Sequence, residues 1–413
     1  MRKAPKNFVP QPFAYHEEIE LRIDDLSNLG DGVGRRDDWV VFVPFALPGE
    51  RVRARVWRNK PTYSDADLRE VLEPSPDRVA PVCGLFGTCG GCQYQHLAYP
   101  AQLSWKTAQI RALLTRLGGI DAPVEPCRGS PVEYGYRIKL TPHHQAMIGK
   151  APDRAKQPIG FQKHGSRAIV DVPACPIASE PINAALPAAR EAARQPPKGN
   201  RKPRGGTLLL RDCAEGVVTD PKHIVTERVL DRVFQFVAGE FFQNNRHALP
   251  GMVSYALEEA AGPRFLVDAY GGVGVFGLCA ADRFETVAGV EVSPAAVQLA
   301  QANAVINGIK NYRCIAGEAE AIFRDIPFAA EETTVLLDPP RKGCGTAFLD
   351  QLRAFGPAKI VYVSCGPDTQ AADLKHLVAE DIYQVTRVQP FDLFPQTRHI
   401  ENVVTLVRTE ILP

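Results

Sequence analysis

Two periods of apolar residues divide this chain. In residues 14–72 the runs HEEIELRI, WVVFVPFALPG, RVRARVW and DLREVLE are broken by GDGVGRR and Pro-Gly turns. Apolar and polar positions alternate with a period of two, which predicts a small antiparallel barrel. From Phe241 onward the pattern becomes strands alternating with helices. FLVD, TVAGVE, YRCIAG, TVLLD, KIVYVS, YQVTRV and VVTLVR are seven predicted strands, and an interval such as PAAVQLAQANAVING carries the helical period. This predicts a doubly wound α/β sheet, where ligands bind beyond the carboxyl ends of the strands. Between the two lie a helical pattern from Tyr99 to Leu117 and a mixed stretch containing QPPKGNRKPRGG from Gln195 to Gly206. The boundaries expected are 1–72 for the barrel, 73–240 for a central domain and 241–413 for the α/β domain.

With 413 residues, 45% hydrophobic and 23% charged, the composition is that of a globular protein and excludes disordered, collagen-like and coiled-coil classes. No run approaches the roughly 20 apolar residues that cross a bilayer, and the opening MRKAPKNFVPQPF lacks the apolar core of a signal peptide. A cytoplasmic protein without a membrane partner is expected. The net charge of +1 hides a cancellation: residues 126–240 carry 18 Lys and Arg against 11 Asp and Glu, and residues 241–413 carry 14 against 20. A basic surface for a polyanion beside an acidic domain fits that split. In the barrel, Arg51, Arg53 and Arg55 share one strand face and are followed by Arg58 and Lys60. They read either as a phosphate-tracking stripe or as charges that keep a strand edge from pairing.

Three strand ends carry candidate chemistry. Asp268-Ala-Tyr-Gly-Gly-Val-Gly-Val-Phe-Gly277 follows a strand and opens a helix, and Gly272, Gly274 and Gly277 spell G-x-G-x-x-G. With Glu291 ending the next strand to bind a ribose, the loop suits a dinucleotide or another adenosine-bearing cofactor. Asp338-Pro-Pro-Arg341 ends a later strand, and Ser364-Cys365-Gly366-Pro367 the one after it. A thiol there can act as a nucleophile, and His399-Ile-Glu401-Asn402 supplies candidate bases. Far upstream, Cys83-x5-Cys89-x2-Cys92 is dense in thiols and glycine, and Cys175 is the natural fourth ligand of a metal centre. An iron-sulfur cluster and a structural zinc both fit that spacing. Cys127, Cys213, Cys279, Cys314 and Cys344 have no such grouping.

In this order the segments resemble the RNA uracil-5 methyltransferases, in the branch with an N-terminal TRAM domain and an iron-sulfur cluster that modifies large-subunit ribosomal RNA. LSNLGDGVGR and FVPFALPGERVRARV resemble the TRAM domain, and VLEPSPDRVAPVCGLFGTCGGCQYQHL the cluster segment. YGYRIKL and IGFQKHGSRAIVDVPACPIA resemble the central domain, and FFQNN, DAYGGVGVFGL, DPPRKG, SCGPDT and HIENVVTL follow in family order. The resemblance implies a Rossmann-like class I S-adenosylmethionine-dependent methyltransferase domain, an OB-like barrel, and a central α+β RNA-binding domain. Cys83, Cys89, Cys92 and Cys175 would hold a [4Fe-4S] cluster. Gln243, Tyr270, Val275, Glu291, Glu318 and Asp338 would contact S-adenosylmethionine, with Cys365 as nucleophile and Glu401 as base.

The implied reaction, by a monomer, is methylation of carbon 5 of a uridine in 23S ribosomal RNA. The alternatives are transfer RNA as substrate and a weakly active RNA-binding or folding factor. Carbon 5 of uracil becomes nucleophilic once a thiolate has added to carbon 6. Two departures stand out: Gly366 replaces a usual Asn, and Gly271 and Val275 replace a frequent Cys and a polar residue. The second removes a possible hydrogen bond worth about 1 kcal/mol.

Overall fold

The alternating N-terminal segment closes into a five-stranded barrel in the computed structural model of the chain, which describes residues 4–146, 156–195, 205–317, 323 and 326–411. Glu318 and residues 196–204 of the basic loop lie outside the described residues. Two compact units are present. One comprises Met1–Trp105, Phe161–Val172 and Pro395–Arg398, and the other Lys106–Gly160, Pro173–Phe394 and His399–Pro413.

In the first unit β1 (Glu18–Leu26), β2 (Asp31–Arg36), β3 (Trp39–Pro44), β4 (Arg51–Asn59) and β5 (Tyr63–Glu73) close in the order β1-β2-β3-β5-β4. The inward positions Ile19, Leu21, Ile23, Val41, Val43, Val52, Ala54 and Val56 are buried, as the period of two requires. The barrel is not wholly antiparallel. β4 and β5 form a hairpin, so β5 reaches β3 running parallel to it, from Val40↔Tyr63 to Phe42↔Asp65. The turn before β4 is pinned by the fully buried Glu50, which accepts the Leu47 amide and an Arg78 Nη2–H, each at 2.8 Å.

On the barrel exterior the arginines are matched to acids. Arg51 donates to Glu20 and Glu73 at 2.9 Å, Arg53 to Glu70 at 2.7 Å, Arg55 to Asp67 at 2.8 Å and Arg58 to Asp65 at 2.7 Å. The register explains this, because Arg53↔Glu70 and Arg55↔Asp67 are direct cross-strand partners. These pairs weigh against the phosphate-tracking reading of the stripe, because its charge is already compensated within the barrel.

The following helices and strands are α1 (Tyr99–Leu113), β6 (Lys139–Leu140), β7 (His143–His144), β8 (Ile159–Gln162), β9 (Ile169–Asp171), α2 (Glu180–Arg194), β10 (Gly206–Thr207), β11 (Leu210–Cys213), β12 (Gly216–Val218), β13 (Ile224–Val229) and β14 (Arg232–Val237). The second unit is built on seven strands: β15 (Phe265–Ala269), β16 (Thr286–Glu291), β17 (Tyr312–Ala316), β18 (Thr333–Leu337), β19 (Lys359–Ser364), β20 (Tyr383–Phe391) and β21 (Glu401–Arg408). Their order is β17-β16-β15-β18-β19-β21-β20, with β21 antiparallel to both neighbours. All seven predicted strands take part.

The inner parallel strands β15, β16, β18 and β19 are buried on both faces and read as apolar runs, whereas the edge strand β17 is half-exposed. One face packs on α3 (Leu249–Ala260), α4 (Val275–Ala280) and α5 (Pro294–Ile306) through Leu266, Val287, Leu336 and Val361. The other packs on α6 (Thr346–Phe355) and α7 (Pro367–Leu377) through Val267, Val335, Leu337 and Tyr362. Among the described residues, no helix is long and apolar enough to cross a membrane.

A guanidinium that must leave a carboxylate before meeting a phosphate gains little from the exchange. Replacing Arg53 and Arg55 together with Gln is therefore expected to change the slope of log RNA affinity against log salt by less than about 0.9, the value of one phosphate contact. Fluorescence anisotropy over a salt series reads this directly.

Candidate functional site

The glycine-rich loop is shaped from beneath by the buried Asp268 at the end of β15. Its Oδ2 accepts the Gly277 amide at 2.8 Å, while Oδ1 has no hydrogen-bond partner. Burial pushes this carboxyl up to about 7, the Gly277 amide opposes the shift and Glu291 adds to it. Gly274 has a φ of 88°, which a side chain resists. A Cβ at Gly277 would lie 2.8 Å from both Asp268 and Tyr312, and one at Gly289 would lie 2.2 Å from the Tyr312 hydroxyl. These glycines serve close packing between loop, helix and sheet.

Tyr270, itself at a φ of 62°, donates its hydroxyl to the Cys344 carbonyl at 3.4 Å and sets its ring edge-on to Phe348. Val275 opens α4. Glu291, closing β16, accepts the Gly272 amide at 3.0 Å and the Ser293 amide at 2.8 Å. Beside it Val292 is 65% exposed, an apolar surface that no motif singled out.

Gln243 is half-buried in the segment joining β14 to α3. Two cations hold the backbone of that segment: Lys139 donates to the Gly239 and Glu240 carbonyls at 2.7 and 2.9 Å, and the buried Arg211 reaches the Ala238 and Glu240 carbonyls. Burial lowers Lys139 to about 8 and Arg211 to about 10.

At the other strand ends, sheet register brings the reactive groups together. β19 and β21 are antiparallel with Ser364 opposite Asn402, so the next residues along, Cys365 and Glu401, are neighbours across the strand ends. Cys365 is partly exposed rather than packed into hydrocarbon. Its thiol is pushed up to about 11, first by desolvation, then by Glu401 and Asp338, against the lowering influence and hydrogen bond of Arg341. Glu401 is 2% exposed and its Oε2 has no hydrogen-bond partner. Desolvation and then Asp338 hold it well above the usual carboxylate range. Asp338, at the end of β18, is raised to about 7 by desolvation and by Asp268.

Repulsion thus acts from Glu291 on Asp268, from Asp268 on Asp338 and from Asp338 on Glu401, along a line from the glycine loop to the strand end at Cys365. Raised carboxyls with unpartnered oxygens suit a ligand that brings positive charge.

Several supports left no signal in the sequence. Gln370 on α7 donates to the Tyr362 carbonyl at 2.9 Å and accepts from Asn402 at 2.8 Å, which locks α7 to β21 beside Glu401. Asp373 accepts both the Tyr362 hydroxyl at 2.7 Å and the Cys344 amide at 2.9 Å. Only Asn402, beside the predicted base, was within the quoted motif.

The expected four-cysteine centre of Cys83, Cys89, Cys92 and Cys175 finds no support among the described residues. Among the described residues, no three Cys, His, Asp or Glu side chains are gathered as a metal requires. Cys83, Cys89 and Cys92 belong to one unit and Cys175 to the other. Burial raises the Cys89 thiol, the Gly91 backbone opposes the shift and Cys83 adds to it. The Cys175 backbone is instead held by Asn183, which accepts its amide and donates to its carbonyl at 2.9 Å each. Cys127, Cys213, Cys279, Cys314 and Cys344 are buried, and burial raises each thiol.

Comparison with known proteins adds the context for this geometry. The family model described as tRNA (Uracil-5-)-methyltransferase matches residues 217–409, and the TRAM domain model matches residues 16–68. The tRNA (uracil(54)-C(5))-methyltransferase of Schizosaccharomyces pombe is 39% identical, over 96% of this chain and 79% of that protein. Its namesake in Saccharomyces cerevisiae is 34% identical, over 97% and 75%. The crystal structure of the Pyrococcus abyssi tRNA (uracil-54, C5)-methyltransferase in complex with S-adenosyl-L-homocysteine superposes with a TM-score of 0.72. It is 26% identical and covers 94% of this chain and 100% of that one.

The thiolate is the reactive form, so alkylation of Cys365 by iodoacetamide, followed on its own peptide, is expected to rise about tenfold per pH unit from pH 7 toward a plateau near pH 11. Glu401→Gln removes a carboxylate that raises the thiol, and the whole profile should move to lower pH.

Proposed function

The chain belongs to the RNA uracil-5 methyltransferases, and from that premise we propose that it methylates carbon 5 of a uridine in transfer RNA, at the position its relatives name as uracil 54. This replaces the expectation of 23S ribosomal RNA, because the two yeast relatives and the Pyrococcus abyssi enzyme are each named for uracil 54 of transfer RNA. The observation that carries the mechanism is the adjacency of Cys365 and Glu401 at the ends of antiparallel strands.

Cys365 adds as thiolate to carbon 6 of the flipped-out uracil, and the electron pair of the 5,6 double bond moves toward carbon 5 and O4. S-adenosylmethionine, when bound, supplies an electrophilic methyl group to carbon 5. Glu401 then removes the proton from carbon 5, and the electrons of that bond reform the double bond as the sulfur leaves carbon 6. A carboxylate held above its usual range is a stronger base for that step.

Tyr270, Val275, Glu291, Asp338 and Gln243, together with Glu318, are the residues we assign to the methyl donor. The exposed Val292 offers an apolar face for its adenine, and the line of carboxyls suits its sulfonium charge. Residues 1–72, 73–240 and 241–413 serve in this reading as barrel, RNA-binding and catalytic parts. The cysteines at 83, 89, 92 and 175 take no part in the reaction.

Transcripts of transfer RNA and of 23S ribosomal RNA fragments carrying 5-fluorouridine separate the substrates. Fluorine at carbon 5 cannot leave as a proton does, so a covalent adduct with the transfer RNA is expected, none with Cys365→Ala, and an adduct retained in Glu401→Gln. An equal adduct yield from Cys365→Ala would remove the nucleophile assignment, and adducts confined to the ribosomal fragments would remove the substrate.

A further inference from the structure

The nucleophile loop and the Asp-Pro-Pro-Arg loop approach each other more closely than ordinary side chains allow. A Cβ placed on Gly366 would lie 2.8 Å from the Thr369 hydroxyl and 2.9 Å from the Arg341 carbonyl. That space is filled by the Thr369 hydroxyl, whose single proton is shared between the Arg341 carbonyl and the Gly366 carbonyl, each at 2.9 Å. The φ of Gly366 is −126°, so glycine is needed here for room and not for backbone freedom.

Arg341 is exposed, and its guanidinium faces the Cys365 sulfur and lies 3.4 Å from His399 Nδ1. Among the described residues the Thr369 hydroxyl is the donor that anchors the Arg341 carbonyl, and the loop then turns with the Gly343 amide on the Pro340 carbonyl at 2.9 Å.

We propose that Thr369 is a positioning residue for the reaction: by tying the Arg341 backbone to the nucleophile loop across the gap left by Gly366, it holds the guanidinium against Cys365. Glycine at position 366 is then an adaptation that lets the two loops close, and not a simple loss of the amide found in relatives. The groups that face the sulfur are Glu401 from β21, and Asp338 and Arg341 from the loop after β18, with His399 touching Arg341. Among the described residues Arg341 is the guanidinium that lowers this thiol, so its displacement leaves the sulfur facing two carboxyls.

The inference rests on Cys365 as the nucleophile, and the test keeps the two apart by reading the thiol without RNA. Alkylation of the Cys365 peptide by iodoacetamide is measured against pH in the full-length wild type, Thr369→Val, Thr369→Ser and Gly366→Ala. Thr369→Val is expected to slow alkylation at pH 8 about fivefold, the size of one lost hydrogen bond, and to move the profile to higher pH. Thr369→Ser should restore it. Gly366→Ala should move it in the same direction as Thr369→Val, and the double variant should be no worse than the worse single one. In methylation assays kcat should fall while the KM for S-adenosylmethionine stays unchanged.

A wild-type alkylation profile in folded Thr369→Val overturns the proposal. So does a Thr369→Ser variant as slow as Thr369→Val. If Thr369→Val does not fold, Gly366→Ala and Thr369→Ser decide: a wild-type profile in Gly366→Ala has the same meaning. A covalent RNA adduct that survives Cys365→Ala instead ends the functional reading, whatever Thr369 does.

Discussion

The pairing of Ser364 with Asn402 is the constraint on which the site depends. One step further along each strand stand a thiol and a carboxyl, and no loop needs to fold correctly to bring them together. A slip of one residue would turn every side chain of β21 to the opposite face and remove Glu401 from Cys365. The register is therefore defended on both sides. Val403, Val404 and Leu406 are fully buried in the two apolar layers, and the Gln370 amide is bonded to Asn402 beside the base.

Electrostatics build on that placement. Desolvation is the first cause of every raised carboxyl in the line from Asp268 to Glu401, and the mutual repulsion of the groups comes second. The same two influences raise Cys365, against which only Arg341 acts. The proposed nucleophile and base are thus tuned by one environment: whatever lowers the charge on the carboxyls eases ionisation of the Cys365 sulfur.

Much of this was legible in the sequence because it follows from period and position. Seven apolar runs became seven strands of one sheet, and Cys365, Asp338 and Glu401 fell at strand ends, where the topology opens a crevice. The barrel was legible too, except that its closure through parallel β3 and β5 depends on a three-dimensional return of the chain that alternation does not encode. The arginine stripe was visible as a stripe, but its neutralisation required the register of β4 on β5. Gln370, Asp373 and Thr369 were not legible, because each acts on a residue distant in sequence or on a backbone carbonyl. The metal centre was expected from thiol spacing, which cannot report whether Cys175 and the other three are gathered.

Burial pushes Asp268 and Asp338 up to about 7, so in the proposed donor site these two carboxyls would gain or lose protons as the site fills. A cationic guest displaces protons from such carboxyls, and a neutral one lets them return. Occupancy by charged donor and by uncharged thioether is therefore coupled to opposite proton flows, so mild alkalinity tilts the competition between them toward the donor.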